Sequence, residues 1–92
     1  MPFDSAVLLE DDEMISAYLE DALESNDPAF IAFALGQVAR ARGMTEIAKE
    51  AGLSRESLYK ALSPEGNPEF ATVLKVINAL GFKLLVGPSA AP

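Results

Sequence analysis

Apolar positions along this chain recur at helical rather than alternating spacing. Ile15, Tyr18, Leu19, Ala22 and Leu23 fall on one side of a 3.6-residue period, and Asp11 or Asp12 can cap a helix that carries them. Its acidic first turn suits the positive end of the helix dipole. Asn26-Asp27-Pro28 then reads as a stop and a fresh start, with Asp27 as N-cap and Pro28 at the first helical position. The helix that follows is predicted to run to about Arg42 and to end at Gly43. Phe30, Ile31, Phe33, Ala34, Leu35 and Val38 make its first half apolar nearly all round. That pattern predicts a central, buried helix in which both phenylalanines serve the packing.

Thr45 is expected to cap a short helix over 46–51 that Gly52 ends, and Ser54 another over 55–62. A breaker run, Ser63-Pro64-Glu65-Gly66-Asn67, separates these from a last helix. There Asn67-Pro68 repeats the cap-plus-proline start, and Phe70, Val73, Leu74, Ile77 and Leu80 recur up to Gly81. Phe82-Lys83-Leu84-Leu85-Val86 favours a short strand by composition. An isolated strand leaves its backbone groups unpaired, so pairing with the same strand of a second chain is expected, and with it a homodimer. The tail from Gly87 to Pro92 is expected to fray. The fold class is thus all-α, about five helices with a short C-terminal strand.

Composition narrows the chemistry. A chain of 92 residues is one small domain, and half of its residues are apolar and 23% charged, a globular balance. It has no His and no Cys. Imidazole bases, thiolate nucleophiles, disulfides and the common zinc sites are therefore excluded, and neither enzyme activity nor a cofactor is expected. The longest apolar run, Ala29 to Leu35, is far below the roughly 20 residues of a membrane span, and no secretory leader is legible. A cytoplasmic protein without a membrane partner is expected. The net charge of −7 at first opposes nucleic-acid binding. Residues 1–27, however, hold nine acids and no base, whereas residues 28–92 hold five acids and all seven bases. The chain divides into a leader of −9 and a remainder of +2. The division suggests an acidic segment and helix (1–26) packed on a core (27–81), followed by the strand and tail (82–92). Removing 1–26 is expected to spare that core.

Residues 44–63 carry the sharpest motif. A helix-turn-helix needs a small residue where its helices cross and a residue tolerant of positive φ four positions later; Ala48 and Gly52 stand there. Ile47, Ala51, Leu53, Leu58 and Ala61 supply the apolar wedge. An ordinary αα-hairpin is the plain alternative. In the helix-turn-helix frame, the second helix enters the major groove with its N-terminal residues at base edges. Arg55, Glu56, Ser57 and Tyr59 become candidate base contacts, Arg55 toward a guanine and Glu56 toward a cytosine. Candidate phosphate contacts are Thr45, Ser54, Lys60, Asn67, Arg40 and Arg42, with Lys75 beside them.

The segments Ala39-Arg40-Ala41-Arg42-Gly43-Met44-Thr45, Gly52 to Ser63 and Gly66 to Val76, with Phe3-Asp4 and Tyr18 to Leu23 before them, resemble the probable addiction-module antidote proteins. These are antitoxins of the lambda-repressor-like helix-turn-helix class. The resemblance implies a lambda-repressor-like domain and a DNA-binding repressor of its own operon. It also implies a homodimer that neutralises a small toxin of the RelE superfamily, with the toxin as co-repressor. Such a toxin is expected to be basic, and the −9 leader would steer toward it. Two alternatives stay open on the residues alone: a stand-alone regulator without a toxin, and an acidic adaptor that binds only protein.

Overall fold

A computed structural model describes residues 11–89. Asp4, Glu10, the Phe3-Asp4 leader and the end of the tail, 90–92, lie outside them. The described residues form α1 (Asp12–Glu24), α2 (Pro28–Arg42), α3 (Met44–Ala51), α4 (Arg55–Ala61) and α5 (Phe70–Ala79). The all-α expectation holds for them.

Local chemistry explains most boundaries. The Asp11 carboxylate accepts from the Glu13 backbone N–H at 2.7 Å. Asp27 accepts from Ala29 N–H at 3.0 Å, with Pro28 opening α2. Ser54 Oγ accepts from Ser57 N–H at 3.0 Å and caps α4. Each of these bonds satisfies a donor that the helix itself leaves free. Two expected starts move. Gly43 ends α2 and also precedes α3, which begins at Met44; Thr45 therefore sits inside the first turn and caps nothing. Likewise α5 begins at Phe70 behind Glu69, because Asn67 takes a left-handed φ of +43° and keeps the chain turning past Pro68.

The helices α1, α3 and α5 all pack against α2. Ile15, Leu35, Val38, Leu58, Leu62 and Val76 are the large side chains closed off from water at the centre. Ile15 comes from α1 and belongs to the same cluster as α4's Leu58. The expectation that 1–26 can be removed without harm is therefore corrected: truncation takes away a core side chain. The buried phenylalanines of α2 also need correcting. Phe30 and Phe33 remain 41% and 39% exposed. Ala32, Ala34, Leu35, Gly36, Val38 and Ala39 are the buried residues of α2. Positions 30, 33, 37 and 40, spaced along one face, are not among them.

The expected strand over 82–86 is absent among the described residues. Residues 82–89 have no regular secondary structure, since no second strand among the described residues offers a ladder. Phe82 N–H donates to Ile77 O at 3.1 Å, and Phe82 and Leu84 lie against the core. Leu85 and Val86 face water. No helix among the described residues is long and apolar enough to cross a membrane.

Candidate nucleic-acid interface

Three residues, Gly52-Leu53-Ser54, separate α3 from α4. Gly52 adopts φ +74°, ψ +29°, a conformation glycine takes without a Cβ penalty. The turn is then closed by Leu53 N–H donating to Ala48 O at 2.8 Å. Ala48 is buried where a small side chain was expected, together with Ile47, Ala51 and Leu58; Leu53 and Ala61 are half-buried. Glycines also hold α4 from behind. A Cβ on Gly36 of α2 would lie 3.3 Å from Leu62 O, just beyond the end of α4. A Cβ on Gly66 would lie 2.6 Å from Ala61 O and would strike Lys60 O as well.

Leu58 is thus the inward anchor of α4, and Arg55, Glu56, Ser57 and Lys60 are turned to solvent. Tyr59 is half-buried and gathers the cations. The guanidinium carbons of Arg55 and Arg40 each lie 5.4 Å from its ring centre. Arg55 Nη2 also donates to the Tyr59 hydroxyl at 3.5 Å. That hydrogen bond, helped by the charges of Arg55 and Arg40, holds the Tyr59 hydroxyl below its ordinary pKa against a smaller opposing effect of burial. Tyr18, on α1, is pushed the other way by burial.

The remaining sequence candidates are dispersed. Arg40 reaches the Tyr59 cluster and also donates to Gln37 Oε1 at 3.1 Å. Arg42 is instead paired with Asp12 at the start of α1. Ser54 donates its hydroxyl proton to Ser57 Oγ at 2.9 Å, so both serines serve the cap of α4. Thr45, Asn67 and Lys75 are exposed, away from the stacked arginines in sequence and without side-chain hydrogen bonds among the described residues. Gln37 escaped the sequence reading, although its i, i+3 spacing to Arg40 was a usable signal.

A family model described as "Probable addiction module antidote protein" matches residues 1–88. A protein of Haemophilus influenzae Rd, itself described only as uncharacterized, is 51% identical over 87 residues. That match covers 95% of this chain and 90% of the relative. No solved structure matches the chain.

Proposed function

The chain belongs to the family of probable addiction-module antidote proteins, and from that membership we propose a lambda-repressor-like operator-binding antitoxin that acts in the cytoplasm. The family is not an enzyme family and implies a cognate toxin. On our reading, α3 and α4 form a helix-turn-helix and α4 enters the major groove. The observation that carries this is the cluster in which Arg55 of α4 and Arg40 of α2 meet at the half-buried Tyr59, beside the solvent-facing side of a helix anchored inward by Leu58. Arg55 would meet a base, with Glu56 and Ser57 beside it. Lys60, Arg40, Thr45, Ser54 and Asn67 would answer to phosphates. Arg42 would have to leave Asp12 to join them.

The protein would bind as a homodimer through residues 82–86, whose exposed apolar Leu85 and Val86 ask for a second chain. Its toxin would be a basic protein of the RelE superfamily held by the acidic leader. Seven acids between Asp11 and Asp27, all exposed, support that placement.

The test is a gel shift at low salt with the protein's own promoter fragment, joined to a pull-down with the product of the adjacent gene. Both should succeed. Arg55→Ala should weaken operator binding by about 1–3 kcal/mol and relax preference at one base pair. Wild-type affinity and preference in that variant would refute the assignment of α4. A shift without toxin capture would leave a stand-alone regulator.

A further inference from the structure

Arg40 and Arg55 come from different helices, yet both lie over one ring. Arg55 stands one turn before Tyr59 on α4 and adds a hydrogen bond to its hydroxyl. Arg40 stands near the end of α2 and is steadied from its own helix by Gln37. The contacts form a continuous chain, Gln37–Arg40–Tyr59–Arg55, that bridges the two helices. A guanidinium over an aromatic ring is attracted to the π-face while its N–H fork remains available to an oxygen acceptor. Long arginine side chains otherwise lose rotamer freedom when they bind, and ordering them beforehand removes part of that cost. Tyr59 also offers one polarisable ring to two like charges that must approach the same polyanion.

We propose that Tyr59 is a positioning residue that couples a phosphate contact by Arg40 to a base contact by Arg55, so that the two arginines engage DNA as one unit. The inference rests on the reading of α4 as the DNA-reading helix and deepens it. Its consequence is specific. The charges of Arg40 and Arg55 supply non-specific attraction whether or not Tyr59 is present. Only their alignment, and with it discrimination between bases, depends on the ring.

The test is a double-substitution cycle on the full-length chain. Arg40→Ala, Arg55→Ala and the pair are compared in wild-type, Tyr59→Ala and Tyr59→Phe backgrounds. Affinity for the promoter duplex and for a scrambled duplex is followed by fluorescence anisotropy across a salt series. With Tyr59 present, the pair should lose less affinity than the product of the two single losses. In Tyr59→Ala the losses should multiply, and preference for the promoter duplex should fall roughly tenfold. The slope of affinity against salt should stay unchanged in that variant, because no charge has been removed. Tyr59→Phe keeps the ring and should keep most of the coupling. If Tyr59→Ala fails to fold, the cycle in the wild-type and Tyr59→Phe backgrounds decides. Losses that multiply while Tyr59 is present, with normal promoter binding, overturn the coupling alone. Failure of the wild-type chain to prefer its promoter overturns the reading of α4 and the coupling together.

Discussion

Gly66→Ala places one methyl group where the structure has no room for it. An ideal Cβ there would stand 2.6 Å from Ala61 O and 2.8 Å from Ala61 C, and nearer still to Lys60 O. All three are backbone atoms at the end of α4, so no side chain can swing aside. Either the breaker loop or the last turn of α4 must move. Overpacking typically costs about 1–3 kcal/mol, and with only backbone to yield we expect the upper half of that range. A domain of this size has roughly 5–14 kcal/mol of total stability. Each kcal/mol shifts Tm by about 4–8 °C at such lengths, so the variant should melt on the order of 10–20 °C lower. Thermal and urea unfolding followed by far-ultraviolet circular dichroism measures this directly. Gly52→Ala is the control: it meets nothing within 4 Å and carries only the left-handed backbone penalty, about 1–2 kcal/mol. A Gly66→Ala protein that melts within 2 °C of wild type, or above Gly52→Ala, would refute the close approach of loop and helix.

The chain's two tyrosines should titrate separately by ultraviolet absorbance, Tyr59 first and Tyr18 later, and Tyr59→Phe should remove the earlier step. A lowered folded-state pKa means that Tyr59 favours the folded chain as pH rises through its shifted value, an advantage lost again as pH falls. Tyr18, raised by burial, favours folding below its ordinary value and loses that as pH climbs past it. One step accounting for both residues would contradict the arrangement. Asp12→Ala breaks an exposed ion pair with Arg42 and should cost no more than about 1 kcal/mol, vanishing in high salt; a larger, salt-insensitive loss of Tm would show that the pair does more. Replacing Glu20, Asp21 and Glu24 by their amides leaves Ile15 and Ala22 in place and should weaken toxin capture without lowering Tm appreciably; unchanged capture in calorimetric titration removes these acids from the toxin surface.

Much of the fold was legible because the signals are local. Asp11, Asp27 and Ser54 each accept from a backbone N–H two or three residues ahead, and Gly52 supplies a backbone conformation that its own lack of a Cβ permits. The misreadings share the opposite origin. Asn67-Pro68 looks like a helix start in isolation, but the loop stays tight beyond it, following Gly66 onto the end of α4. Phe30 and Phe33 look like core, yet how much of α2 is covered depends on how many helices surround it. The segment 82–86 has strand composition, whereas a ladder requires a second strand. At the candidate interface, Arg55 and Tyr59 share a helix and were legible together. Arg40 joins them only because Gly36 lets the end of α4 approach α2 closely, a contact between residues 26 positions apart that no periodicity announces. The pairing of Arg42 with Asp12 was illegible for the same reason, since the two lie 30 positions apart.

The exposed face of α4 is supported from behind, by Leu58, by the half-buried Tyr59 and Ala61 and by the glycines that receive its end. Arg55, Glu56, Ser57 and Lys60 contribute no side chain to the core. On the reading proposed for α4, the address of the protein is separable from its architecture. Duplicated genes could drift apart at positions 55, 56 and 60 while keeping the same scaffold and the same Tyr59 anvil. A single genome could then hold several such modules, each silencing its own operon and deaf to the others.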